Sequence, residues 1–196
     1  MKISIAVVSA FCCISVKALD LSPHFAAVES DGVSLCNPYF TDADKKFGLI
    51  LNMETQLIPY EDGALFKFIK LDHAEMRLRH SPLGVELKFG PDTVAAYEQA
   101  ARSLLPQLAE GVVLEKEIND PLPMNAWKSH RFLFKYTMRA FPMRESITFL
   151  NILPTEQVVV QVYAREQQFE NAAWRADDII RRWYELEPSK KVRNAN

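Results

Sequence analysis

Two histidines, His73 and His80, stand seven residues apart in "HAEMRLRH". Metal binding or proton transfer is the chemistry such a pair could offer. Seven residues place two side chains on one face of a helix but on opposite faces of a strand. The spacing is not that of the zinc-binding H-E-x-x-H helix, so the pair reads as exposed loop or strand histidines. Asp42 and Asp44 in "TDADKKFG" have the spacing that opens a calcium loop. The later oxygen ligands and the bidentate glutamate such a loop needs are missing. Ser34, Cys36 and His130 are nucleophile and base types, yet no nucleophile elbow orients them. The six glycines are scattered and build no phosphate-binding loop. The expectation is a protein without catalytic residues, without a cofactor and without a metal site.

Contact chemistry has better candidates. "TMRAFPMRES" sits between two strand-like runs, where a turn of Gly, Asn or Asp is expected. It carries Phe141, Pro142 and Met143 between Arg139 and Arg144. Two readings stand: the apolar side chains tuck onto a neighbouring strand, or they form an exposed anchor in a basic rim. Trp174 falls outside the apolar stripe of the last helical segment and is a second candidate contact. Asp178 and Arg181 lie four and seven residues on. Trp127, in "MNAWKSHR", is a third, at a loop-to-strand junction. Either tryptophan can equally pack against its own chain.

These residues must be held by a scaffold, and the periodicity describes it. Lys46 to Thr55 reads as a strand with Leu49, Leu51 and Met53 on one side. Asp62-Gly63 supplies a positive-φ hairpin turn, and "ALFKFIKL" returns from it. Short strands follow at Glu75 to Arg79 and Val85 to Phe89. "GPDTVAAYEQAARSLLPQLAEG" changes period: Asp92 is the expected N-cap, and Val94, Tyr97, Ala101, Leu104, Leu105 and Leu108 share one helical arc. Pro106 marks its end or a kink, and Gly111 closes the segment. Four strands come next: Val112 to Ile118, His130 to Met138, Ser146 to Leu153 and Gln157 to Tyr163. Their short connections from His130 onward mean antiparallel neighbours. Glu170 to Leu186 reads as a second helix, with Phe169, Ala172, Ala173, Ala176, Ile179, Ile180, Trp183 and Tyr184 on its apolar side. The expected fold class is α+β: an α/β/α sandwich with a central antiparallel sheet flanked by two main helices.

Bulk properties bound the rest. "MKISIAVVSAFCCISVKALD" reads as a signal peptide: a basic start, then an apolar run too short to span a bilayer comfortably. Cleavage is expected near Ala18. Phe11 before Cys12 argues against lipidation, since a lipoprotein needs a small residue there. The expected organisation is a signal peptide at 1–18, an N-terminal extension of mixed character at 19–44, one domain at 45–187 and a frayed tail at 188–196. The product is secreted or periplasmic, with no transmembrane helix after cleavage. Losing Lys2 and Lys17 leaves 21 Lys and Arg against 25 Asp and Glu, a balance that argues against nucleic acid as a partner. Cys36 alone survives, so no disulfide can form within the chain, and a lone cysteine reads as a small buried hydrophobe.

The order of elements resembles a known family. An early strand pair, "FGLILNMETQLIPYEDGALFKF", precedes a helix and a long meander. The meander ends in "EQVVVQVYA", and "ENAAWRADDIIRRWYEL" closes the chain. This is similar to the PsbP family, named for an extrinsic subunit of photosystem II, and its bacterial DcrB-type relatives, over Lys46 to Leu186. Trp127-Lys128 stands where that family has a Gly-rich turn. The resemblance implies an α/β/α sandwich and an accessory or binding role without chemistry, and it transfers no functional residue. The leading expectation is an exported, non-catalytic accessory protein. It would bind an unidentified protein partner in the cell envelope or extracellular space through Arg139, Phe141, Met143, Arg144, Trp174 and Trp127. The alternatives are a carrier of a small apolar ligand or lipid and, last, a hydrolase.

Overall fold

Val158, Val160, Val162 and Ala164 point one way along a single strand, and Gln157, Val159, Gln161 and Tyr163 point the other. That alternation sets the architecture, because one face asks for a continuous apolar cover and the other does not. The structure is a computed structural model that describes residues 19–30, 33–42, 45–61, 63–83, 88–122, 127–153 and 156–186. The expected signal peptide and the tail at 188–196 lie outside the described residues.

The elements in chain order are β1 (Asp20–Ser30), β2 (Val33–Asp42), β3 (Lys45–Gly48), β4 (Thr55–Tyr60), β5 (Gly63–Phe68), β6 (Glu75–His80), α1 (Val94–Leu104), β7 (Glu110–Asn119), β8 (Lys128–Met138), β9 (Phe141–Leu153), β10 (Glu156–Arg165), α2 (Phe169–Arg181) and β11 (Tyr184–Leu186). A single 3-10 turn, Glu166–Gln168, joins β10 to α2. Seven strands form one antiparallel sheet in the order β4-β5-β6-β10-β9-β8-β7, and β1-β2-β3-β11 form a second. The class is α+β, with two helices and two antiparallel sheets.

The valine face of β10 is covered by α2 and the four-stranded sheet together. Phe169, Ala172, Ala176, Ile179 and Ile180 of α2 are buried, and they meet Leu150, Met76, Leu78, Phe66 and Phe68 in one core with Leu19, Leu21, Phe40 and Phe47. Each large apolar side chain sealed here contributes roughly 1.5–3 kcal/mol. Arg131 of β8 clamps α2 to the sheet through Asp177, at 3.2 and 2.6 Å, while its Nε donates to Thr148 at 2.7 Å. The opposite face carries α1 over an aromatic cluster of Tyr97, Phe132, Phe134 and Phe149 with Ile147 and Val159.

Several sequence expectations are corrected. Within the segment at 19–44, Asp20–Ser30 and Val33–Asp42 are strands, and Leu19, Leu21 and Phe40 enter the core. The strand expected to Thr55 stops at Gly48, and Met53 is 100 % exposed. At the β4–β5 hairpin Glu61 has a positive φ, 47°, and Gly63 does not, while Asp62 lies outside the described residues. Gly63 answers a different demand, since a Cβ there would sit 2.0 Å from the Leu78 carbonyl oxygen. Thr93 rather than Asp92 caps α1, and its hydroxyl turns back to donate to Lys88 O at 2.6 Å. The second helix ends at Arg181 instead of Leu186. The chain turns there so that Trp183 can bury against Phe40, Phe47 and Trp127, at ring separations of 5.3, 6.3 and 5.9 Å. Tyr184 then pairs with Gly48, its ring lying where a side chain at Gly48 would be. Cys36 is exposed, not buried.

Candidate functional site

Two glutamines of β10 fix where α1 sits. Gln157 donates to the Tyr97 hydroxyl at 2.8 Å, and Gln161 donates to the Leu104 carbonyl at 3.0 Å. The helix therefore runs along β10 and ends above Gln161. Beyond it, the same face of the sheet continues through Tyr163 and Arg165 without a helix over it. A cleft of about 320 Å³ opens there, lined by His73, Leu108, Met138, Arg139, Phe141, Met143, Tyr163 and Arg165.

The β8–β9 hairpin builds one wall. Met138 pairs with Phe141, so only Arg139 and Ala140 form the turn. Both have positive φ, 50° and 65°. This geometry matches the twist of the flanking strands and is normally filled by Asn-Gly. Arg139 thus stands exposed at the tip. Directly paired residues share a face, so Met138 and Phe141 lie together, as do Tyr136 and Met143 below them. Phe141 is 48 % exposed while Met143 is buried. The Arg165 guanidinium lies 4.4 Å from the Phe141 ring centroid and 3.1 Å from Asp72. A cation on an aromatic face holds both groups in place.

Under the cleft runs a buried polar network. Tyr136 donates to Glu145 at 2.6 Å and Gln161 donates to its other oxygen at 2.5 Å. Glu145 is wholly buried, and loss of hydration pushes its carboxyl up to about 7 despite those two hydrogen bonds and the positive Arg77 nearby. Burial likewise drives the Tyr136 hydroxyl far above the ordinary phenol range, with the Glu145 charge adding to the effect. Tyr163 donates to Glu75 at 2.6 Å, and burial followed by that bond raises it too. Arg77 lies 5.1 Å from the ring centroids of both Tyr60 and Tyr163. This network stabilises the floor and presents one hydroxyl, that of Tyr163, among the cleft-lining residues.

Of the sequence candidates, Arg139, Phe141 and Met143 come together here. Arg144 does not join them. It points to the other face, bonding Glu115 at 2.8 Å and Glu170 at 2.5 Å with Phe169 under its guanidinium. The expected "loop" holds only two turn residues, and the basic rim is made by Arg139 and Arg165. Trp174 is 62 % exposed on α2, which covers the opposite face. Trp127 packs edge-on against Trp183 and is half-buried. His73 is exposed and lines the cleft, at φ 51°. His130 is a core residue stacked among Phe89, Tyr97 and Phe132, its Nε2 3.0 Å from Glu117. Cys36 lies in the other sheet, so the grouping with His130 is not assembled. Among the described residues no cluster of three His, Cys, Asp or Glu could hold a metal ion. Among them, too, no helix is long and apolar enough to cross a membrane.

The sequence alone overlooked Glu145, Gln161, Tyr163 and Arg165. The signal was present in "MRESITF": Met143, Glu145, Ile147 and Phe149 share a face, and an acid in such a series is a buried acid in want of partners.

No family model matches the chain, and no curated protein matches it. Among solved structures it is similar to PA94 of Pseudomonas aeruginosa, a protein of unknown function described as a candidate regulator. That likeness has a TM-score of 0.41 at 13 % identity, over 84 % of this chain and 97 % of that one. It is also similar to LpqN, involved in cell envelope biogenesis of Mycobacterium tuberculosis, with a TM-score of 0.44 at 9 % identity over 84 % of this chain and 92 % of that one.

Proposed function

We propose that the protein is an exported, non-catalytic binding protein of the PsbP-like kind, and that it works by contact at the cleft beside the β8–β9 turn. One observation carries this reading. Phe141, the first residue of β9, stays half in water at the mouth of an apolar cleft. A large aromatic held in place at a rim, with cations beside it, is the composition of a binding anchor. The element order supports the PsbP-like reading, whose members are mostly accessory or binding proteins, and the N-terminal sequence supports export. Trp174 is a second exposed aromatic, on the opposite cover, and would serve a separate contact.

Photo-crosslinking from position 141 tests this in envelope and extracellular fractions. Position 174 serves as the second arm and Val113, an exposed residue of the edge strand β7, as the control. A discrete adduct from position 141 that is absent from position 113 is expected. Equal labelling from all three positions overturns the contact surface. Turnover of any substrate by the purified protein overturns the non-catalytic reading, and an unprocessed N-terminus on the recovered protein overturns export.

A further inference from the structure

The cleft is apolar along its length and cationic at its mouth, and that partition selects a ligand class. We propose that it binds an unbranched alkyl carboxylate, with the carboxylate at Arg139 and Arg165 and the chain along Met138, Phe141, Met143 and Leu108. This rests on the reading of the cleft as the contact surface and narrows it to one chemistry.

Four observations support the assignment. Arg139 makes no ion pair among the described residues, whereas Arg165 already has Asp72 at 3.1 Å. One guanidinium at the mouth therefore has its forked donors free for a carboxylate. With Arg165 balanced by Asp72, the unpaired charge among the lining residues is that of Arg139, which disfavours a cationic ligand, and a neutral one would cover Arg139 without satisfying it. The acids beneath the cleft are already engaged, Glu75 by Tyr163 and Glu145 by Tyr136 and Gln161, and so offer no open anionic site. The walls carry two methionines, which adapt to a flexible chain better than branched side chains do. A volume of about 320 Å³ is at the small end of ligand pockets, which favours one short chain over a diacyl lipid.

Isothermal titration of the purified protein with decanoate and with decanol tests the proposal, the two probes differing only at the head. Decanoate is expected to bind once per chain and at least about tenfold more tightly than decanol. Arg139→Asn should weaken decanoate about tenfold and leave decanol unchanged. Asn tolerates the left-handed backbone at that turn better than Arg does, so misfolding would not explain the loss. Phe141→Ala, at a half-exposed site, should weaken both probes. Equal affinity for the two probes overturns the assignment of the head. Unchanged binding in both variants overturns the location. Binding of a peptide with a C-terminal leucine but not of decanoate overturns the ligand class. A specific crosslink from position 141 without decanoate binding removes this inference and leaves the contact reading intact, whereas absence of both removes the two together.

Discussion

The two faces of the seven-stranded sheet are closed by different means. One receives α2 and an entire second sheet: Val158, Val160 and Val162 seal beside Leu150, Met76 and Phe66, and the polar Arg131 and Thr148 of the same face are tied to each other and to Asp177 of α2. The other receives α1, with Leu83 and Phe89 from the segment before it; the helix is 11 residues long and, at 1.5 Å per residue, about 16 Å in length. It ends above Gln161, leaving the end of β8, the start of β9 and the end of β10 to be finished by a turn and by side chains. The sealed face holds the fold together. The unfinished one has polar groups in its floor and a cleft at its end, because a short helix cannot reach that far. Function is expected where cover runs out, and stability where it is complete.

The largest test of that contrast is Phe66→Ala. Phe66 is fully buried on the sealed face, so truncation should cost about 3–5 kcal/mol, read as a lower urea midpoint. Phe141→Ala at the cleft should shift the midpoint by less than about 1 kcal/mol. If both variants lose the same stability, the faces are not different in kind.

Glu145 sharpens the comparison from the other side. Its carboxyl titrates at about 7 in the fold, against an ordinary value of 4.5, so between those values the folded chain holds a proton that the unfolded chain has released. Its contribution is fully present below about pH 4.5, and it is lost as pH rises through 7. A shift of that size corresponds to about 3 kcal/mol. Glu145→Gln keeps an amide where the protonated acid stood. It should flatten this stretch of the stability–pH curve and make the protein more stable than the parent above pH 7, as chemical denaturation at several pH values would show. A parallel curve for the variant would mean that Glu145 is ionised throughout, and that the floor of the cleft is a charged site.

How much of this was legible beforehand follows the same divide. The sealed face announces itself in "EQVVVQVYAR" and in the α2 stripe, because burial on one side imposes a strict period. The helix α1 was legible from its apolar arc and from Pro106. Strands β1 and β2 were not, since their apolar residues follow no clean alternation and their cover comes from a sheet distant in sequence. β11 was hidden by a continuing helical stripe at Trp183 and Tyr184. There the indole's place between Phe40 and Phe47 outweighed helix propensity. At the cleft, the unusual composition of the β8–β9 connection was visible, and so were Arg139, Phe141 and Met143. Their partners Arg165, Tyr163 and Leu108 come from other elements, and only strand register brings them to the same end. Arg144 was misplaced for the reason that most often misleads on strands: one residue's shift changes the face.

The smallest effect concerns the turn itself. Ala140 has φ 65°, a conformation that costs an L-residue roughly 1–2 kcal/mol and glycine nothing. Glycine gives back part of that advantage through the greater freedom of the unfolded chain, roughly 0.5–1 kcal/mol. Ala140→Gly should therefore raise stability by up to about 1 kcal/mol, measurable as a higher urea midpoint with an unchanged slope. If the turn serves only to reverse the chain, the variant should bind decanoate as the parent does and simply be more stable. If the alanine methyl also stiffens the tip that presents Arg139, the gain in stability should come with a loss of decanoate affinity while decanol binding stays the same. That second outcome would show that the hairpin accepts strain on the unfinished face in order to hold a cation at the cleft mouth, a compromise for which the sealed face offers no counterpart.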